Sequence, residues 1–422
     1  MNQKKKLVIQ LHAVASLLGY WFFHAIVILA LGSSSTTVSI IYDAIQLLLA
    51  LYVLFICRRD IVVESGCTQL KFFSLLLVLY TVRMFYDMAF GPFVGQVSTS
   101  MYLFDITITV GGTFVSVWAI IAGRKYIDID KIVRLVFWIG IATAVAVLLK
   151  NNAIGESDVY EEGRMIGGQG LTSQHLARLG AIVVMASLHL LLNKEKRLTM
   201  KGFYFAGLII SGFLTLASGA RGAVAALIVA LGVYYVFSTR RSPLQVAMAL
   251  VSVVLVVINI VPILIWISDY FPIFGQRMLR TILEDDQSGR AEIRRRAWEV
   301  TINNPLVGYS YRLFGSESGF RAHNGILEVS IALGIPITIL YVYYVYIKGA
   351  LIAVKNMTNR QLLFPTAMGV FALVASLAAS SISNCVFDFA FCILVIACYY
   401  NNNLQKISNK WIIQNLRKKF FQ

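Results

Sequence analysis

The sequence predicts an all-α polytopic membrane protein: about twelve transmembrane helices, with one large periplasmic loop that contains short helices. Three observations predict it. The chain of 422 residues is 58% hydrophobic and only 14% charged, and its mean hydropathy of +0.73 lies far outside the soluble globular range. Apolar runs of about 20 residues, enough to cross roughly 30 Å of hydrocarbon, recur along almost the whole length. Against this background one stretch, Tyr270 to Arg321, is polar.

By length and hydropathy the predicted spans are 7–31, 38–57, 72–90, 101–122, 131–149, 173–192, 202–219, 221–238, 243–268, 322–347, 361–380 and 384–400. The first follows Lys4-Lys5-Lys6 but is too long for a signal-peptide core and lacks a small-residue cleavage site, so it reads as a retained anchor. Short connections rich in Lys and Arg alternate with connections that have few. The basic set includes Arg58, Arg59, Lys71, Arg124, Lys125, Lys194, Lys196, Arg240, Arg241, Lys348 and Lys355, which the positive-inside rule assigns to the cytoplasm. Both termini are then cytoplasmic and Tyr270–Arg321 faces the periplasm. The formal net charge of +16 is explained by this orientation and gives no ground for a nucleic-acid partner. The chain divides into spans one to nine at 1–268, an Arg-rich loop at 269–321, spans ten to twelve at 322–400, and a basic tail at 401–422. In that tail Trp411, Ile412, Leu416 and Phe420 interleave with Lys and Arg, as in a helix lying on the cytoplasmic leaflet.

Cysteines exclude a disulfide framework. Cys57 and Cys67 flank one short loop, Cys385, Cys392 and Cys398 fall in the last span, and none has metal-ligand spacing, so buried inert thiols are expected. No G-x-x-x-x-G-K-[ST] spacing occurs. A site on the periplasmic face has no ATP, so energy comes from the substrate or from a gradient.

The loop carries Arg277, Arg280, Arg290, Arg294, Arg295, Arg296, Arg312 and Arg321 but no Lys. Arginines there cannot serve as positive-inside signals. A planar guanidinium grips phosphate oxygens two at a time, so the loop points to a phosphate-bearing substrate. Ser288 to Val300 reads as a short helix capped by Ser288 and ended by Asn303-Asn304-Pro305, with Ile293, Ala297 and Val300 on one face. Arg290 falls in its first turn, where free backbone N–H groups also favour an anion. Arg294, Arg295 and Arg296 point around the helix and divide between lipid phosphates and salt bridges. Arg221 enters a span behind the small residues Ser218-Gly219-Ala220, where it is either a phosphate ligand or a snorkelling side chain. His323 closes the loop. A neutral imidazole there can take a proton from a sugar hydroxyl, or be no more than a hydrogen-bonded cap.

Further candidates are weaker. Arg164 lies among Gly163, Gly167, Gly168 and Gly170 before span six, which Gln174, His175 and Arg178 enter. Arg83 and Asp87 are spaced as an internal i,i+4 pair. Asp43, Asp105, Asp388 and Glu328 are intramembrane carboxylates that need partners such as Arg or His. Glu284-Asp285-Asp286 could hold a divalent cation but more simply serves the following helix dipole, so the site is expected to be metal-independent and free of cofactors.

Three sets of residues resemble the bacterial O-antigen ligase and O-antigen polymerase superfamily of membrane glycosyltransferases. They are Ser218-Gly219-Ala220-Arg221-Gly222, then Ser288-Gly289-Arg290 with Trp298 and Asn304-Pro305-Leu306-Val307-Gly308-Tyr309, then His323-Asn324 with Leu327-Glu328 and Gly334-Ile335-Pro336. The likeness covers about 202 to 348. It implies an all-helical enzyme in the bacterial inner membrane, metal-independent and inverting, that uses an undecaprenyl-diphosphate-linked glycan as donor. Arg221 and Arg290, with Arg164 as a looser match, would hold the diphosphate. His323 would activate the acceptor hydroxyl, with Asn324, Glu328 and Asp388 supporting. The acceptor is lipid A-core if the protein is a ligase; the alternative is a surface-polysaccharide polymerase that joins repeat units. A transporter or lipid flippase is the distant third reading, and the missing half-chain symmetry argues against it.

Overall fold

The computed structural model describes residues 3–31, 36–58, 68–153, 160–161, 164–165, 171–192, 197–238, 260–270, 275, 279, 290–315, 322, 324–348, 351 and 360–379. The fold is all-α. Its helices are α1 Gln3–Leu31, α2 Thr36–Ile56, α3 Thr68–Phe90, α4 Thr99–Tyr126, α5 Ile129–Ala153, α6 Ser173–Leu192, α7 Leu198–Ala217, α8 Arg221–Ser238, α9 Ile260–Tyr270, α10 Arg290–Asn303, α11 Gly325–Ile347 and α12 Arg360–Ala379. One two-residue antiparallel pairing, Tyr160–Glu161 with Arg164–Met165, lies between α5 and α6. Among the described residues, 8 helices are long and apolar enough to cross a membrane. The predicted span 243–268 falls in part, and 384–400 in whole, outside the described residues, as does the basic tail.

Most predicted spans match helices within a few residues, 173–192 with both ends. The bundle packs α6 between α5 and α7, α8 against α12, α2 against α4, and α3 against α11. One apolar core runs through α1, α3 to α8, α11 and α12. Three long helices among the described residues loosen into π turns: α1 at Ala15–Gly19, α4 at Thr107–Phe114 and α11 at Val342–Ile347. At the first of these the freed Ala15 carbonyl accepts the Tyr42 hydroxyl at 2.7 Å, a local rescue of the kind that permits π turns in hydrocarbon.

The feature that organises the site is a break in α11. The predicted span 322–347 forms two half-helices that meet at Gly334, whose φ of 82° and ψ of 172° are non-helical. Pro336 lies two residues on and has no N–H to give, so the sequence Gly334-Ile335-Pro336 cannot continue a regular ladder. In an unbroken helix Gly325 and Tyr341 would stand about 24 Å apart. Here the Tyr341 hydroxyl lies 3.7 Å from the place a Gly325 Cβ would occupy, and the Ser376 hydroxyl of α12 lies 3.8 Å from it. The halves therefore fold back on each other, and the first turn of α11 starts beside Tyr341 and Ser376.

Breaking a helix frees backbone groups, and the segment after α10 takes them up. Ile335 N–H, which would have bonded Ile331 C=O, donates to Pro305 C=O at 2.7 Å; Ile331 C=O in turn accepts from Tyr309 N–H at 2.6 Å and Ser310 N–H at 3.2 Å. This exchange brings backbone against backbone. Gly308, at φ 75°, lies so close that a Cβ would stand 2.6 Å from Ile331 O, and a Cβ on Gly334 would collide with Leu306 O.

Gly334→Ala is thus expected to lose roughly 1–3 kcal/mol from backbone conformation alone. Thermal unfolding in detergent should show a lowered midpoint, whereas Gly212→Ala, with nothing within 4 Å of the added methyl, should leave it unchanged.

Candidate active site around the broken helix

The loop segment 304–315 is held from two sides. Helix α10 ends where Asn304 turns back, its side-chain amide donating to Val300 C=O at 3.1 Å. Ala297 and Val300, the face predicted from sequence, form a small apolar core with Leu313, Ala322 and Ile331, against which Ile293 packs. The Thr301 and Ser330 hydroxyls join α10 to α11 at 3.2 Å. This local core fixes Ala322, which is fully buried.

On the other side the segment is clamped to α3 and α4 by buried charges. Arg83 and Asp87 form the expected i,i+4 pair at 2.8 Å, and both also reach the loop. Arg83 donates to Val307 C=O at 3.3 Å and to Tyr309 C=O, and Asp87 accepts Tyr311 N–H at 2.7 Å. Asp105 of α4 accepts the Tyr311 hydroxyl at 3.1 Å and pairs with Arg312 at 2.8 Å. The Arg312 guanidinium also lies 5.5 Å from the Tyr102 ring centre. Arg312 is fully buried, so this loop arginine faces the Asp105 carboxylate, which the sequence left in need of a cation, and not a substrate phosphate. An Arg this deep is stable only beside a carboxylate, and Asp105 supplies it. Arg295 is likewise engaged on its own helix, with Glu292 at 2.7 Å and Glu299 at 2.9 Å; its hydrogen bonds hold the exposed Glu292 carboxyl below the usual range.

The other candidates fall as follows. Arg221 is the first residue of α8 and half-buried, reached through a turn in which Gly219 takes φ 65°. The Ser218 hydroxyl donates to Thr215 C=O at 2.7 Å, closing α7 just before that turn. Arg290 is the first residue of α10, and Arg164 lies opposite Glu161 in the short pairing; for both, the backbone is described. Asn324 caps α11: its side-chain oxygen accepts from Ile326 N–H at 3.0 Å and Leu327 N–H at 3.1 Å, while its amide donates to Leu377 C=O of α12 at 3.2 Å. Glu328 is buried on α11 and lies within electrostatic range of the Tyr80 hydroxyl, as do Asp87 and Asp105. His175 packs edge-on against Tyr20 at 5.5 Å. His323 lies outside the described residues, between buried Ala322 and capping Asn324, and Asp388 and Glu284–Asp286 lie outside them as well. Among the described residues no group of three His, Cys, Asp or Glu could hold a metal ion.

Together these elements define a multi-pass helical membrane protein whose polar loop is locked onto a discontinuous helix. Residues 206–342 match the family model described as O-antigen ligase. Over this segment the chain is similar to the O-antigen ligase family, which supports the resemblance drawn from the sequence. No curated protein matches the chain. The matched segment contains Arg221, Arg290, His323, Asn324, Glu328 and the Gly334 break; Arg164 and Asp388 lie beyond it, and so do Arg83, Asp87 and Asp105.

Removing Asp105 alone leaves Arg312 buried without its carboxylate, which should cost roughly 3–5 kcal/mol. The Asp105→Leu, Arg312→Met double variant should unfold at a higher temperature than Asp105→Leu; equal midpoints would mean that the pair contributes no coupling.

Proposed function

We propose that the protein is a bacterial inner-membrane O-antigen ligase, which transfers a glycan from undecaprenyl diphosphate to lipid A-core on the periplasmic face. The observation that carries the reading is the family match over 206–342, which spans Arg221, Arg290 and His323. The acceptor hydroxyl oxygen attacks the anomeric carbon. Its bond to the diphosphate oxygen breaks with inversion, and the diphosphate leaves with the electron pair. Arg221 and Arg290, aided by Arg164, meet the charge that develops on the leaving group, which is where fixed cations lower a barrier. His323 receives the hydroxyl proton as general base. Asn324 and Glu328 support the histidine from the first turns of α11, and Asp388 is assigned a similar supporting role. The residues so assigned need neither a metal nor a cofactor.

Support from the fold is indirect but physical. Ala322 is buried, and Asn324 caps α11 and is tied to α12, so the neighbours of the proposed base are held by packing and hydrogen bonds. Arg221 and Arg290 each stand at a helix N-terminus, where backbone N–H groups add to the attraction for an anion.

Purified protein incubated with undecaprenyl-diphosphate glycan should give one size-shifted product only when lipid A-core is present; a ladder formed without lipid A-core would assign the polymerase reaction instead. His323→Ala should abolish transfer while the protein remains folded and inserted. Arg221→Lys should fail as well, because a point charge does not replace a bidentate grip. Chelator should leave the rate unchanged, and restoration by added magnesium would bring Asp285 and Asp286 into the site.

A further inference from the structure

We propose that α10 and the turn that follows it form a membrane-inserted surface, with Trp298, Ile302, Leu306 and Val307 seated in the lipid leaflet beside the end of α3. These four side chains are 56%, 54%, 75% and 74% exposed. Trp298 and Ile302 are one turn apart on α10, next to the buried face of Ala297, Val300 and Thr301. Leu306 and Val307 continue the strip past the helix end. An outward row of large apolar side chains on so polar a loop marks a surface that meets something other than water.

Its position identifies the partner. Arg83 reaches Val307 C=O from the last two turns of α3, and Phe93, just past α3, packs edge-on against Tyr309 at 5.9 Å. The residues that α3 turns outward there, Val82, Tyr86 and Phe90, are 59%, 52% and 76% exposed, and α3 is long and apolar enough to cross a membrane. The loop's strip thus extends a lipid-facing belt already present on the bundle. The strip is bordered on one edge by exposed Arg294, one turn before Trp298, and on the other by Glu292, Arg295 and Glu299, joined by ion pairs, so that headgroup-type charges flank the lipid-type side chains. That arrangement suits a helix lying in the plane of the interface. The inference rests on surface and placement and holds whichever reaction the protein performs. If the transfer reaction is as proposed, insertion sets Arg290, the first residue of α10, near the plane in which a lipid-linked diphosphate lies.

The test uses the full chain in phospholipid vesicles with and without lipid brominated on its acyl chains. The sequence has 6 Trp, so the Trp298 signal is taken as the difference between the native protein and Trp298→Phe. Brominated lipid should cut that component roughly twofold and iodide on both sides of the membrane should not touch it, as for an interfacial aromatic. Ile302→Trp in the Trp298→Phe background should behave alike. Quenching of either reporter by iodide but not by brominated lipid would overturn the proposal in favour of a water-facing strip. Shielding from both quenchers would overturn it in favour of a protein partner, including a second copy of this chain.

Discussion

Away from water an unsatisfied backbone N–H or C=O costs several kcal/mol, and the break at buried Gly334 would create such groups. The structure answers with a reciprocal exchange: Pro305 accepts what Ile331 gives up, and Tyr309 with Ser310 donates to what Ile335 leaves open. The rest of the site hangs from this exchange. It holds α10 against α11, which closes the small core around Ala322, and it permits the fold-back that carries Asn324 to Leu377 of α12. Broken helices recur in transporters too, where they serve intramembrane sites. Here the break serves to dock a loop, and the loop's own backbone supplies the missing partners.

A second constraint is division of labour between the two parts of the chain. The matched segment brings the arginine Arg312 and the backbone groups of 307–311, whereas the carboxylates that hold them, Asp87 and Asp105, come from α3 and α4 ahead of the match. Because a lone buried charge is so unfavourable, neither half of this clamp is stable without the other. The loop of the matched segment is thus held by carboxylates that lie outside the match. It takes its shape on the platform that the first helices provide.

Much of this was readable in the sequence where the signal is local. Hydropathy located the spans because each depends on its own residues, and Asn303-Asn304-Pro305 ended α10 because Pro and the residues before it resist helix locally. The i,i+4 spacing gave the Arg83–Asp87 pair for the same reason. The Arg312–Asp105 pairing was not legible because the partners are 207 positions apart, and residue type alone cannot distinguish a guanidinium facing a phosphate from one facing a buried Asp. The break at Gly334 inside 322–347 was hidden for a related reason: a hydropathy count measures length and ignores where the backbone hydrogen bonds go. The π turns of α1 and α4 left no mark that composition registers.

Once Arg312 is assigned to Asp105 and Arg295 to its two glutamates, the placement of the remaining arginines becomes more informative. A cation at a helix N-terminus opposes the helix dipole, by a few tenths to about 1 kcal/mol at an exposed site. Arg221 opens α8 and Arg290 opens α10, and neither has an acidic residue three or four positions further along its helix: Val224 and Ala225 follow the first, Ile293 and Arg294 the second. Stability alone would favour Asp or Glu at both places. Residues that work against local stability belong where function requires them, and the proposed role supplies such a reason: two cations at two positive helix ends would receive an anion. On the proposed reaction that anion is the diphosphate of a lipid-linked glycan, and when it departs as leaving group the charge grows, so a placement that weakens the two helices in the resting protein would favour the transition state.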